Sequence, residues 1–289
     1  MRQHVTVGVD GTPQSRAAAR WAAREAALRD VPLRIVHVVD APLIPVEARM
    51  DRVAADRWAD QELTDAVRDV RDRYAGLEAG TRRLAGRPAA ALAAEATDAS
   101  LLVLGSRGLG TTTGFLLGSV ALSTLTAVHT PAALVRTSTD PDPAETPEYR
   151  RLVVGVDIHQ ACDRVLDFAF EEAARRRCPL HAVHAWHLPP AYKYVAYADP
   201  DAEDEIQRAV THLLDDTLLP WRHEYPKVPV TATAVRGHAG HELVRAATDA
   251  DLVVVGRHVR RSPLGAHLGP VTHAVMHHVT APVVVVAHD

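Results

Sequence analysis

A tandem repeat is the feature that most constrains what this chain can fold into. Three segments of the first half return in the same order in the second half: 4–40 as 151–187, 98–108 as 249–259, and 129–136 as 280–288. The tetrapeptide VGVD occurs in both copies of the first segment, so Asp10 aligns with Asp157. A repeat unit of this length indicates that a whole domain was duplicated.

The length of 289 residues suits two domains of ordinary size. We place the first domain at 1–138 and the second at 150–289. The segment between them, 139–149, is rich in Pro, Thr and acidic residues and is predicted to be a linker.

Each copy alternates short apolar runs with helical patterns. The predicted elements of the first copy are strand 5–10, helix around 17–26, strand 33–39, helix 47–78, a weak strand 81–84, helix 88–97, strand 101–104, helix from 119, and strand 132–135. Alternating strands and helices imply crossover connections and a parallel sheet. Continuous apolar runs such as LLVL (101–104) indicate strands that helices cover on both faces. The sequence therefore predicts two tandem doubly wound α/β domains.

A dinucleotide-binding domain of the Rossmann type is the alternative architecture. Its GxGxxG fingerprint should directly follow the first strand. The sequence at that place reads GVDGTP (8–13) instead, which favours a different doubly wound domain.

Composition excludes several classes of function. The formal net charge is −4, and arginines alternate with acids as in RDVRDRY (68–74), which argues against a general nucleic-acid-binding protein. No apolar run approaches the ~18 residues of a membrane-spanning helix. The chain enters a strand pattern directly after Met1, and its two cysteines, Cys162 and Cys178, form no disulfide framework. We expect a cytoplasmic protein.

A glycine-rich segment, GSRGLGTTTGFLLGSVALSTL (105–125), carries the strongest local signal. Gly105 ends a buried strand, and Ser119 opens the next helix. Glycines let backbone amides approach an anion closely, and the first turn of a helix offers N–H groups outside the helical ladder. This pattern favours a phosphate site. A helix start preceded by a flexible glycine hinge, without any ligand, is the alternative.

The spacing Gly-x2-Gly-x9-Gly-Ser after a strand, together with VGVDG (7–11), resembles the universal stress protein family of ATP-binding type. The resemblance covers both halves of the chain. It implies that each domain is a five-stranded parallel sheet in the order 3-2-1-4-5 with helices on both faces. That order reverses between strands 1 and 4, so a ligand is expected at their carboxyl ends.

The resemblance also implies which residues bind ATP. Gly8, Val9 and Asp10 would line the adenine and ribose end, and Val38 would pack on the adenine. The residues expected to hold the ribose and phosphates through backbone amides are Gly105, Gly108, Gly118, Ser119 and Val120. Arg107 would add positive charge, unless it is simply solvated. For Asp10 the alternative is a capping role in the turn before Ser15.

The second copy departs from this motif. Gly256 is kept, but Val259 stands where the second glycine belongs, and Pro270 follows Gly269 in place of the serine. Proline removes one amide and the hydroxyl. The loop stays basic through Arg257, His258, Arg260 and Arg261. We expect a mainly structural second domain.

Histidines concentrate in the second half, which holds all but three of the 17. The pairs His238/His241 and His273/His277 have one-face helical spacing that could suit a metal. Because no cysteine or carboxylate cluster accompanies them, we interpret them as surface or capping residues. No metal site is predicted, although Mg²⁺ accompanying the nucleotide is compatible with the sequence.

Catalytic motifs are missing from the sequence. It has no Gly-x-Ser-x-Gly elbow, Walker lysine motif or zinc signature, and Asp10 has no evident acid–base partner. We expect a nucleotide-controlled regulatory module of the stress response that acts through an unidentified protein partner, with a homodimer as its candidate assembly. The alternatives are a ligand-free interaction protein and a slow ATPase.

Overall fold

The computed structural model describes residues 3–40, 49–106, 118–137, 149–187, 202–259 and 268–288. These residues form two compact units, one within 3–137 and the other within 149–288. Within the described residues, no helix is long and apolar enough to cross a membrane.

The first unit contains five strands, four α-helices and a short 3-10 helix, Ala96–Asp98, in its described part. The strands are β1 Val5–Gly8, β2 Leu33–Val39, β3 Ala79–Ala85, β4 Leu101–Gly105 and β5 Ala132–Val135, and the helices are α1 Pro13–Arg29, α2 Arg49–Arg73, α3 Pro88–Glu95 and α4 Ser119–Ala127. The strands are parallel in the order β3-β2-β1-β4-β5. The predicted doubly wound fold and strand order are confirmed.

Burial explains why these segments form central strands. Leu101, Leu102 and Val103 are consecutive and fully buried, which requires cover on both faces of the sheet. That cover comes from α1 and α2, which contact each other, and from α3, which contacts α4. β3 differs, since it exposes Arg82 and Arg83 along the sheet edge. Charged side chains on an edge strand discourage pairing with another chain.

Local sequence signals set the ends of α1. Thr12 is the N-cap, and its hydroxyl oxygen accepts a hydrogen bond from the Ser15 amide at 3.2 Å. Pro13 follows at the first helical position, which its fixed φ suits. The helix ends at Arg29, and its C-cap residue Asp30 adopts a left-handed conformation with φ 52°. This start brings the turn between β1 and α1 to the carboxyl edge of the sheet.

The second unit repeats the plan in its described residues. Its strands are β6 Leu152–Gly155, β7 Leu180–Trp186, β8 Val230–Arg236, β9 Leu252–His258 and β10 Val283–His288, and its helices are α5 Asp163–Arg176, α6 Ala202–Glu224, α7 Ala239–Ala246 and α8 Pro270–His278. The order β8-β7-β6-β9-β10 is again parallel and equivalent to 3-2-1-4-5.

The two units differ where the fourth strand ends. β4 ends at Gly105, and the last backbone bond of that ladder is donated by the Ser106 amide to the Val135 carbonyl at 2.8 Å. β9 continues past Gly256 to His258, and the Val259 amide still donates to the His288 carbonyl at 2.8 Å. The described ladder between the fourth and fifth strands is therefore longer in the second unit than in the first.

Candidate functional site

A cleft opens at the carboxyl ends of β1 and β4, where the strand order of the first unit reverses. Its lining comes from β1, β2, β4, the turn before α1, α3 and the start of α4: Gly8, Val9, Asp10, Thr12, Gln14, Ser15, Val36, His37, Val38, Pro88, Leu92, Leu104, Gly105, Gly118, Ser119, Val120 and Ala121. We call it the β1–β4 cleft. Open parallel sheets place ligands at this topological position.

Eight of the sequence-predicted residues line this cleft together: Gly8, Val9, Asp10, Val38, Gly105, Gly118, Ser119 and Val120. Arg107 and Gly108 lie outside the described residues. The structure thus brings segments near residues 8, 38, 105 and 118 into one site.

The turn between β1 and α1 is fixed by hydrogen bonds around Asp10. The Asp10 amide donates to Ser15 Oγ at 3.2 Å, and Asp10 Oδ1 accepts from the Thr12 amide at 3.1 Å and from Thr12 Oγ1 at 2.6 Å. Ser15 Oγ in turn donates to the Thr12 carbonyl at 2.9 Å. One oxygen of Asp10 therefore shapes the turn, while Thr12 supplies the cap.

Gly105 permits a close approach between β4 and α1. A Cβ at this position would lie 2.8 Å from the carbonyl carbon and oxygen of Gln14 and 2.9 Å from the Ser15 nitrogen. Backbone atoms at such distances cannot move aside easily. We predicted Gly105 from the phosphate motif, but the structure also gives it a packing role, joining the floor of the cleft to the first turn of α1.

The start of α4 presents amides to the cleft. Gly118 is extended, with φ −66° and ψ 145°, and the first helical bond runs from the Leu122 amide to the Gly118 carbonyl at 2.9 Å. Helix geometry leaves the amides of Ser119, Val120 and Ala121 outside the intrahelical ladder. This end of the cleft favours a negatively charged group.

The other end of the cleft is apolar. Val9 and Leu92 are buried, Val38 is half-buried, and the side chains of Leu104 and Leu92 each lie 3.2 Å from the position of a Cβ on Gly8. Any residue larger than glycine at position 8 would press on this wall. An apolar wall opposite a set of N–H donors suits a ligand with a flat apolar part and an anionic part.

Sequence reasoning missed His37. Its ring is buried at 7% exposure and its Nδ1 lies 2.8 Å from the Val9 carbonyl oxygen. Because a carbonyl only accepts, Nδ1 carries the proton in this contact. The repeat held the signal: His184 aligns with His37, and its Nδ1 lies 2.9 Å from the Val156 carbonyl. Leu92 was missed as well, since its role depends on the packing of α3.

The second unit differs around Gly256, the residue that aligns with Gly105. A Cβ on Gly256 would meet the His288 ring at 2.7 Å, because β10 reaches that far. Thr272 Oγ1 donates to the Gly256 carbonyl at 2.8 Å. Pro270 opens α8 and has no amide to offer. In the second unit the strand ladder thus runs past the aligned glycine, and the following helix begins with a residue that has no amide N–H.

The histidines of the second unit do not gather into a metal site in the part of the chain that the structure describes. No group of three or more His, Cys, Asp or Glu side chains there is placed to hold a metal ion. The His273 and His277 rings lie one over the other, with centroids 4.2 Å apart. His238 is the N-cap residue of α7, but its side chain makes no capping hydrogen bond.

Fold and cleft together define a class: a tandem doubly wound α/β protein with a cleft at the switch point of its first sheet. The model of the universal stress protein family matches residues 1–136 and 148–287. The chain therefore belongs to the universal stress protein family.

Individual relatives agree with this assignment. A universal stress protein of Mycobacterium tuberculosis strain H37Rv is 32% identical over 98% of this chain and 97% of its own length. A second from the same strain is 33% identical, covering 97% of this chain and 95% of the relative. The crystal structure of a universal stress protein from Archaeoglobus fulgidus shares the fold, with a TM-score of 0.74, 16% identity, and coverage of 99% of this chain and 98% of that one.

Proposed function

We propose that the first unit binds ATP in the β1–β4 cleft and that the protein is a nucleotide-controlled binding module. Membership of the universal stress protein family supports a role in stress response. The observation that carries the proposal is the pairing of the apolar wall with the amides of α4 in one cleft at the switch point. The residues present fit an adenine nucleotide at both ends.

The phosphate end of the proposed site is the start of α4. The amides of Ser119 and Val120 would donate to phosphate oxygens, with the Ser119 hydroxyl as a further donor. The positive end of the helix dipole would add to the attraction. Gly118 precedes these amides without a side chain, which leaves the approach to them open.

The adenine end is the apolar wall. The base would pack between Val38 and Leu92, and Val9 and Asp10 would lie beside the ribose. Burial of a flat ring system on such side chains contributes through the hydrophobic effect. Mg²⁺ would arrive with the nucleotide, held by phosphate oxygens and water, because the described residues offer no cluster of metal ligands.

The proposed role is binding rather than catalysis. The Asp10 carboxylate is engaged with Thr12 in the turn, and an acid or base must reach the proton that it transfers. Any ATP hydrolysis would then be slow, and the nucleotide state would be read by a protein partner.

Calorimetric titration with ATP tests the proposal. Wild-type protein, freed of endogenous nucleotide, should bind about one ATP per chain. The variant Gly118→Val should lose at least ~30-fold in affinity, because a side chain would stand in front of the α4 amides. AMP and cAMP, titrated in parallel, establish which adenine nucleotide is preferred.

Gly269→Val is the matched control. Gly269 occupies the same N-cap position before α8, and a Cβ at this residue would have no atom within 4 Å, so this variant should bind ATP as wild type does. Wild-type affinity in a folded Gly118→Val variant contradicts the site. No bound nucleotide and no titration would favour a ligand-free interaction protein, and fast turnover would favour an ATPase.

A further inference from the structure

Trp58 has an unusual position for a large aromatic residue. It lies on α2 and is 48% exposed, yet the inner edge of its ring packs against the turn between β1 and α1. A Cβ on Gly11 would lie 2.7 Å from Trp58 Cζ2. Gly11 also has φ +78°, a conformation that residues with side chains rarely adopt. Glycine is required at position 11 by its backbone angle and by the ring beside it.

The same ring contacts a second part of the cleft floor. The centroids of Trp58 and His37 are 5.3 Å apart, and the rings meet edge to face at 77°. His37 donates through Nδ1 to the Val9 carbonyl, directly before the turn. Trp58 therefore contacts Gly11 inside the turn and His37, which holds the residue where the turn begins.

One turn further along α2, Glu62 extends the contact. Its carboxyl carbon would lie 3.1 Å from a Cβ on Gly11. Its carboxylate also accepts a hydrogen bond from Arg16 of α1 at 3.2 Å. Side chains from two successive turns of the α2 helix thus pack on the loop turn between β1 and α1.

The second unit solves the same packing problem differently. His184 again has a ring meeting it edge to face, at 5.9 Å and 78°, but that ring is His159. His159 aligns with Thr12 and so belongs to the turn itself, and Ile158 aligns with Gly11. In the second unit the ring that packs on His184 comes from the turn after the first strand. In the first unit the ring that packs on His37 comes from α2, outside the turn.

We propose that Trp58 is a positioning residue that holds the β1–α1 turn in its binding-ready conformation from behind the cleft. This inference rests on the proposed function, because the turn carries Val9 and Asp10 on the ligand side. A turn that adopts the competent conformation only part of the time binds with an affinity reduced by that fraction. Removal of the indole would take away the side chain nearest to Gly11, a residue with wide conformational freedom, and leave the Glu62 carboxylate beside it.

Amide hydrogen exchange of the nucleotide-free, full-length protein tests the positioning directly. In Trp58→Ala, exchange in the segment 9–16 should become about tenfold faster, whereas β4 and the second unit should exchange as in wild type. Trp58→Phe should restore most of the protection. His159→Ala is the matched control from the other unit and should leave the segment 9–16 unchanged.

ATP titration of the same variants links the turn to binding. Trp58→Ala should lower the affinity for ATP about five- to tenfold, and Trp58→Phe should recover most of the lost affinity. Wild-type exchange in Trp58→Ala overturns the inference, as does faster exchange with unchanged ATP affinity. If wild-type protein binds no ATP, the proposed function fails, and unchanged exchange in the segment 9–16 would overturn the positioning role independently.

Discussion

The two units share a strand order but diverge at the carboxyl end of the fourth strand. In the first unit β4 ends at Gly105, and the chain returns at Gly118 to begin α4 beside an open cleft. In the second, β9 continues to His258 and stays paired with β10. The same topology thus carries a longer fourth strand, and a proline at the start of the next helix, in the second unit but not in the first.

Side-chain chemistry accounts for the extension. β10 reads VVVVAH, a run of β-branched residues that favours continued strand, whereas β5 reads only AALV. His288 at the end of β10 lies against Gly256, so the extra strand length also fills space. In the first unit β5 ends at Val135, and Arg136 and Thr137 after it are not part of a strand.

The largest expected difference between the units concerns their aligned glycines, Gly105 and Gly256. Gly105→Ala should lower the free energy of unfolding of the first unit by about 3 kcal/mol, because the new methyl group meets the backbone of Gln14 and Ser15. Gly256→Ala should cost the second unit only about 1 kcal/mol, because its main obstacle is the His288 ring, which can rotate. Urea unfolding of both variants measures the difference.

Gly269→Ala serves as the reference for this pair, since open space surrounds a Cβ at that position. It should change stability by less than ~0.5 kcal/mol. Equal costs for the two aligned glycines would show that the close approach of β4 to α1 is not specific to the first unit. The result also matters for ligand studies, because variants at Gly105 disturb packing and binding together.

The second prediction exchanges the residues that open α4 and α8. Ser119→Pro should keep the helix, since proline suits the first helical position. It should lower the affinity for ATP about tenfold, because it removes one amide N–H and the hydroxyl. Ser119→Ala retains the amide N–H and should lose less affinity for ATP than Ser119→Pro. Calorimetry at equal protein concentration compares the three proteins.

The reverse exchange sharpens the comparison. Pro270→Ser should not create ATP binding in the second unit, because β9 and His288 still occupy the area next to Gly256. A second ATP per chain in Pro270→Ser would mean that proline alone separates the units and that the strand extension is irrelevant to binding.

Much of the fold was predictable because the central strands carry continuous apolar runs. β5 was predicted at 132–135 and is observed at Ala132–Val135. β3 was predicted only weakly, at 81–84, and spans Ala79–Ala85, because an edge strand that exposes Arg82 and Arg83 has no apolar run. α2 ends at Arg73 rather than 78, so the prediction of this helix ran past the stop signal that Gly76 provides.

The site was less predictable from sequence. Motif spacing singled out Gly105, Gly118 and Ser119, which line the cleft, because a glycine-rich pattern is local in the chain. The contact of Trp58 with Gly11 joins distant segments, and nothing in either segment alone indicates it. The same holds for Gly105, whose neighbour Gln14 becomes evident only when β4 packs beside α1. Long-range packing is the part that a single sequence does not reveal.

The third prediction compares Asp10 with Asp157. Asp10 Oδ1 accepts two hydrogen bonds from Thr12, whereas Asp157 Oδ1 accepts one, from the His159 amide at 3.0 Å. In nucleotide-free protein, Asp10→Ala should lower the free energy of unfolding by about 1 kcal/mol, and Asp157→Ala should lower it by about half of that. Thermal unfolding without ligand measures both. A larger cost at Asp157 would mean that the second turn depends more on its carboxylate than these contacts indicate.

The smallest effect is expected at the aligned pair Ser15 and Cys162. Ser15 does not titrate, whereas burial, followed by nearby Asp163 and Asp157, raises the pKa of the Cys162 thiol from 9.0 to about 11. In the unfolded chain the thiol ionises near pH 9, and in the folded chain it stays neutral. Its contribution to stability is therefore complete below pH 9 and is lost as the pH rises from 9 towards 11.

Cys162→Ser tests this contribution by giving the second unit the residue of the first. At pH 8 the substitution should change stability by less than ~0.5 kcal/mol. Between pH 9 and 11, the unfolding midpoint of the variant in urea should fall less steeply than that of wild type, because one ionising group has been removed. Parallel pH dependence in the two proteins, or rapid reaction of Cys162 with a thiol reagent at pH 8 in folded protein, would show that the thiol is not protected by burial.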